Sequence, residues 1–435
     1  VQPWHTANGT LVCHRVNNNL YPEDTVKKLS MITGSAILLT LAGMLFMTGC
    51  SSDKAVSPAV NDPSVGASLA PVDYDVWQFA QTEMVTTSPD LDMLSRRAMG
   101  IDDMGTVHAI YQRGIGAEQG LYYVCKPQGG QWSQPEIVGA PGTYPGTGWL
   151  EVCEETGEAY VAFYNVSDLQ LGIRRGGAWE MHTLDTPDEY GVGKPALAVD
   201  AAGIVHVAMM IDWDTESGYV MWQIAYGYFD GSSDFHFQVL ENSIVPHYGL
   251  FSSPDIVARE DGSVVIAYHH DAAGQLLIRV EENNALGGKE WTAEHVDVPG
   301  VIVYPESLER DAEGNLHLGF HTNIELGAEY HTYYACRRGD GHFGGKQEVD
   351  GDYAGARPRI AFTPDNEPHL VFEELLGPRS TGRLIHAYRS QGRWVQEVVV
   401  DNLAATPSFA IDKSGNGSIL YESRVVLLED NNIGY

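Results

Sequence analysis

The chain is 435 residues long and 43% hydrophobic, and its 26 Lys and Arg against 58 Asp and Glu give a net charge of -32. The apolar content excludes global disorder, and the charge excludes nucleic acid and anionic lipid headgroups as partners of the surface as a whole. Acidity of this size keeps an exported chain soluble, and the five cysteines, Cys13, Cys50, Cys125, Cys153 and Cys336, have neither metal spacing nor the pattern of a disulfide framework.

Residues 1–25 lie upstream of a basic region where no leader should begin, so they are expected to fall outside the natural protein, with Val26 or Met31 as its start. Residues 26–49 then carry Lys27-Lys28, an apolar run from Ile32 to Gly49 and small residues ahead of Cys50, the pattern of a signal peptide. The ending Met47-Thr48-Gly49-Cys50 resembles the lipobox of bacterial lipoproteins. That resemblance implies lipidation of Cys50, attachment to a membrane through the lipid alone, and a place in the cell envelope; Ser51 after the cysteine is what an outer-membrane destination looks like in lipoprotein sorting. Residues 50–73 are rich in Ser, Pro, Ala, Asp and Val without periodicity and predict a flexible tether.

From residue 74 to 435 one phrase recurs: an apolar strand, a tight turn ending in Gly or Asn, and a second strand ending in an aromatic or apolar residue. The turn residues are Gly105, Gly157, Gly203, Gly262, Gly314, Asn366 and Gly415, spaced by 52, 46, 59, 52, 52 and 49 residues. Several turns read Asp-x-x-Gly, as at Asp200, Asp311 and Asp412, where Gly supplies the positive φ of a short hairpin. A third strand follows, such as Leu121-Tyr122-Tyr123-Val124, and a fourth opens on Trp132, Trp179, Phe235, Trp291, Phe343 or Trp394. Four strands in each repeat with no helical pattern between them predict an all-β fold, a seven-bladed β-propeller of four-stranded blades. The last copy stops after its third strand, Val425-Val426-Leu427-Leu428, and the orphan strand around Asp75–Thr82 is expected to close that blade from the N-terminal side. The repeat resembles bacterial propellers of the sialidase-like BNR class over residues 74–435. Cys125 and Cys153 are open to pairing across neighbouring blades or to remaining half-buried thiols.

His108, His206, His317 and His369 occupy one slot of the repeat, which assigns them a structural role. Function is expected where the repeat varies, in the residues after each second strand and in the blade-to-blade loops, since the fold has no need of those particular side chains. These positions concentrate on blades four to six: His247, Tyr248, His269, His270, Asp271, Tyr304, Glu306, His321, Arg357 and Glu373. The leading expectation is a binding site for a carbohydrate or other polar ligand, with aromatic stacking and hydrogen bonds from the carboxylates. One alternative is a polysaccharide lyase acting on uronate-containing glycans: Tyr268-His269-His270-Asp271 and Val303-Tyr304-Pro305 are similar to segments of propeller ulvan lyases. That resemblance implies catalytic roles for His270 and Tyr304. A second alternative is a scaffold that docks a protein partner without catalysis. No cofactor or resident metal is expected, although His269, His270, His321 and Glu373 are the donors a metal would find. Sialidase activity is not expected, because no Ser-x-Asp-x-Gly-x-x-Trp box and no matching arginine triad occur.

Overall fold

The computed structural model describes residues 9–17, 78–86, 92–93 and 97–424, less 114–118, 141–147, 166–167, 188–190, 215–219, 233, 241–253, 273–274, 284–289, 297–301, 324–329, 340, 352, 375–381 and 402–403. Residues 26–73, where a signal peptide, the lipidated Cys50 and a tether are expected, fall outside the described residues. The described residues make 29 strands. The first two are β1 (Gly9–Asn17) and β2 (Gln78–Thr86). The repeat opens with β3 (Asp92–Met93), β4 (Met99–Ile101), β5 (Val107–Arg113), β6 (Gly120–Lys126) and β7 (Glu136–Val138). The next sheet holds β8 (Trp149–Val152), β9 (Ala159–Asn165), β10 (Asp168–Arg175) and β11 (Ala178–Leu184). After it come β12 (Gly191–Val199), β13 (Val205–Asp214), β14 (Val220–Phe229) and β15 (Phe235–Val239), then β16 (Asp255–Ala258), β17 (Val264–Ala272), β18 (Gln275–Asn283) and β19 (Trp291–Val296). The last groups are β20 (Ile302–Arg310), β21 (Leu316–Asn323), β22 (Tyr330–Arg337) and β23 (Gly344–Glu348), then β24 (Gly355–Phe362), β25 (Pro368–Glu374), β26 (Leu384–Ser390) and β27 (Arg393–Val400), with β28 (Ala404–Ile411) and β29 (Gly417–Arg424) at the end.

Every pairing is antiparallel between neighbours, and the innermost strands touch in succession, with β28 meeting β4. This is a β-propeller, but the expected count of seven four-stranded blades is corrected. Six blades have four strands, and the sheet that opens the repeat has five, because its innermost strand is broken and β3 and β4 pair with opposite ends of β5. The closing blade also differs from expectation. β1, drawn from the stretch expected to fall outside the protein, takes the third place beside β29, from Gly9 opposite Arg424 to Val16 opposite Gly417, and β2 takes the fourth. The exposed edge of β29 needs a hydrogen-bonding partner. Gly9–Asn17, with Thr10, Val12 and Val16 among its residues, supplies one although it has no counterpart in the repeat.

The repeat's signals have physical counterparts. In the turn at Asp200, the carboxylate Oδ1 accepts from the N–H groups of Ala202 and Ile204, both at 2.9 Å, while Gly203 adopts φ 79°. Asn366 replaces glycine in this role at φ 66°. The other oxygen, Oδ2, meets His206 Nε2 at 3.3 Å, and His206 Nδ1 meets the Tyr226 hydroxyl at 2.8 Å. Asp102–His108–Tyr123 and Asp311–His317–Tyr334 repeat the arrangement. The same tyrosines receive the edge-on tryptophan of the next sheet, Tyr123 to Trp179, Tyr226 to Trp291 and Tyr334 to Trp394, with ring centroids 5.2–5.4 Å apart. The recurring histidine slot and the Trp that opens a fourth strand are therefore parts of one buried chain of contacts linking neighbouring sheets.

A second link runs nearer the axis. The side chains of Asp255, Ser307 and Ser408 accept the backbone N–H of Leu308 and Ile360 on the next innermost strand and of Ala98 just ahead of β4, at 2.8, 3.1 and 3.2 Å. All three acceptors are buried, and the Ser408–Ala98 bond joins the last sheet to the first. Cys125, Cys153 and Cys336 are free thiols, partly buried.

Candidate functional site

The innermost strands are bent by register breaks between Val192 and Pro195, Pro305 and Ser307, Ala356 and Arg359, and Ala405 and Ser408. Each break begins at, brackets or ends at a proline, which cannot donate to the ladder and is tolerated at a bulge. Arg357 and Thr406, the residues ahead of two of these prolines, have positive φ values of 55° and 52°. Three of these breaks leave the residue before proline out of the ladder, at the end of the innermost strand where the chain enters from the preceding sheet: Lys194, Arg357 and Thr406. In the fourth the unpaired residue is Glu306, which follows Pro305.

At this rim the structure brings together Glu306, His321, Arg357, Arg359 and Glu373. Arg359 Nη1 donates to the backbone carbonyl of Glu306 and lies 3.4 Å from its carboxylate. His321 Nδ1 is 3.4 Å from Glu306 Oε1 and also 3.4 Å from the backbone N–H of Arg357, so one ring nitrogen faces an acceptor and a donor. Arg357 Nη1 donates to Glu373 Oε2 at 2.9 Å, and the Thr406 N–H reaches the same oxygen at 3.3 Å. Tyr330 stands edge-on to the His321 ring at 5.2 Å. Burial disfavours the Arg357 cation, but Glu373, Glu306 and Glu422 together more than offset this and hold its pKa above the ordinary arginine value. Beside the cluster, Arg383 Nη2 donates to Glu374 at 2.7 Å.

Of the ten residues expected at the site, four converge here: Glu306, His321, Arg357 and Glu373. Tyr304 pairs with His321 in the ladder, and Asp271 pairs with Leu276. His247 and Tyr248 lie outside the described residues. His269 and His270 are both buried but leave opposite faces of β17, as neighbours on a strand must. His269 shares the face of Val265 and Ala267, which pack with Leu308 and Phe320 of the following blade, whereas His270 shares the face of Tyr268, which packs with Ile224 and Tyr226 of the preceding one. His270 stacks on His295 at 5.3 Å and lies 3.5 Å from Arg279. One metal ion cannot take both histidines together with His321 and Glu373.

Two features were not read from the sequence. Deeper along the innermost strands, Arg97 reaches Glu151 at 3.1 Å and also pairs with Glu309, 212 residues away. Burial pushes the acids of Glu151 and Glu309 up despite Arg97, and that of Asp255 up to about 6. No local motif marks this network, because its members come from different sheets. The second is a cleft of about 470 Å³ at the other end of the strands, where Arg259 and Arg337 of adjacent sheets both engage Glu282. Its arginines are 22% and 9% exposed against 43% for Arg357, so the rim cluster, with the more open cation, is the better candidate.

No family model matches the chain, and no curated protein matches it. Among solved structures it is similar to a protein of unknown function from Dyadobacter fermentans DSM 18053, at 13% identity over 76% of this chain and 97% of that one, with a TM-score of 0.43. It is similar to the Aleuria aurantia lectin in complex with α-methyl-L-fucoside, at 11% identity over 70% of this chain and 94% of that one, TM-score 0.42. It is also similar to an α-L-arabinofuranosidase of Fusarium graminearum in complex with arabinobiose, at 15% identity over 52% of this chain and 74% of that one, TM-score 0.39.

Proposed function

We propose that the rim cluster binds a carbohydrate that carries an acidic group, with Arg357 as the contacting cation. The observation that carries this reading is the contrast within the cluster: the Arg357 side chain is 43% exposed, while those of Glu306, His321, Arg359 and Glu373 are each below 10%. A guanidinium fixed from behind by a buried carboxylate and open in front is preorganised for a bidentate bond to a ligand carboxylate. Glu306, His321 and Tyr330 supply polar and aromatic contacts of the kind that orient a sugar ring. Lipidation of Cys50 would hold this face in the cell envelope, on the outer membrane, with the lipid as the sole membrane contact.

The test is calorimetric titration of the protein with polyuronates and with neutral polysaccharides. Polyuronate binding that weakens about tenfold or more in Arg357→Ala, with the fold retained, is the expected result. Equal binding by the variant would remove the rim from consideration. Appearance of the ultraviolet band of an unsaturated uronate would make the protein an eliminating lyase, and no response to any glycan would leave protein docking as the reading. Metabolic labelling with a fatty acid tests the anchor: label present in the wild type and absent in Cys50→Ala is expected.

A further inference from the structure

One group of side chains lies outside the rim cluster, at the junction between β22, β23 and the entry to β24. His331 is the second residue of β22, Glu348 ends β23, and Asp350 follows one residue after Val349. His331 Nδ1 lies 3.7 Å from Glu348 Oε1 and 3.5 Å from Asp350 Oδ2. Both separations are too long for a good hydrogen bond. They are close to the ~3.4 Å that separates two ligands of one tetrahedral ion with bonds of about 2.0–2.1 Å.

Asp350 is fully buried, and its Oδ2 accepts the N–H groups of Thr332 at 2.9 Å and Gly355 at 3.0 Å. Its Oδ1 has no hydrogen-bond partner, and neither do His331 Nδ1 nor the buried Thr332 hydroxyl. Three buried polar atoms left unsatisfied at one spot call for a ligand, since buried polar groups are otherwise paired. A donor from each of His331, Glu348 and Asp350 lies within 4.8 Å of the other two. Glu348 and the imidazole are accessible enough for an ion to enter.

We propose that His331, Glu348 and Asp350 bind one divalent transition-metal ion, zinc being the ion that one imidazole and two carboxylates at this spacing suit. Water completes the tetrahedron. The Thr332 and Gly355 bonds to Asp350 act as the supporting shell that aims the carboxylate. Through Gly355, the first residue of β24, the ion fixes the start of the strand that carries Arg357.

The experiment uses the full chain, stripped with a chelator and titrated with zinc chloride, read by metal stoichiometry and by thermal unfolding. One zinc per chain and a melting temperature higher by a few degrees at about a hundredfold excess over Kd are expected. Both effects are expected to disappear in His331→Ala and to weaken in Glu348→Gln, partly exposed positions whose variants keep the fold. Retention of stoichiometric zinc by His331→Ala, or an equal response to calcium and zinc in the wild type, would overturn the assignment. So would a wild-type protein that takes up no zinc.

Discussion

At the scale of single residues, the buried histidines illustrate how a repeat can mimic a functional site. His206 is fully buried and held between Asp200 and Tyr226, so His206→Ala leaves two polar partners unsatisfied as well as a cavity. A loss of about 3 kcal/mol in urea unfolding is expected, with ligand binding unaffected in the folded fraction. In the sixth repeat the tyrosine position is taken by His386, which meets His369 at 2.9 Å and Glu397 at 2.8 Å. Burial pushes His369 down to about 2 and His386 down to about 3, while it pushes the Glu397 acid up to about 7. The unfolded chain takes up protons on both imidazoles below their ordinary value near 6.5 and the folded chain does not. Their contribution to stability is therefore present above about 6.5 and is lost progressively as the pH falls toward 3. Glu397 works in the opposite sense between 4.5 and 7 and stays in place in the test variant. His386→Tyr, which restores the partner used in three other repeats, should lose less melting temperature between pH 7 and 4 than the wild type; an equal loss would show that these imidazoles do not govern acid sensitivity. The rim was half legible for the same reason. Glu306, His321, Arg357 and Glu373 stood out because they vary within a regular pattern, whereas Arg97 and Glu309 gave no signal because the contact spans separate sheets.

At the scale of the element, the strands and turns were readable because period two and Asp-x-x-Gly arise from forces within one or two strands, and because the inter-sheet Tyr–Trp contact recurs and so leaves a periodic Trp. The bulges were not. A register break depends on how two strands share their hydrogen bonds, and proline in an innermost strand only permits it. The position ahead of such a proline is a searchable one, and it would have marked Lys194 and Thr406 along with Arg357. The links between sheets are likewise a property of pairs of elements. The Ser408 hydroxyl accepts the Ala98 N–H at the junction of last and first sheets, so Ser408→Ala should cost about 1–2 kcal/mol and raise the unfolding rate. A substitution without effect on unfolding would mean that the junction is held by apolar packing alone.

At the scale of the whole molecule, the sequence read the propeller correctly as a class but misjudged how its closing blade is made. The repeat predicted a missing strand and found it in the stretch that holds β2; it passed over β1, which lies far upstream and beyond the proposed leader. Removing residues 1–17 takes the middle out of the closing sheet, leaving β2 and β29 without the strand that joins them. A clear drop in melting temperature and a rise in aggregation are expected for that truncation relative to the full chain, since an open edge invites pairing with other molecules. The position of Cys50 adds a further consequence. If Cys50 is lipidated as proposed, cleavage ahead of it would sever β1 from β2 while both remained hydrogen-bonded in one sheet, turning a single polypeptide into a fragment complex. Blade closure would then depend on a noncovalent peptide, exchangeable and sensitive to dilution.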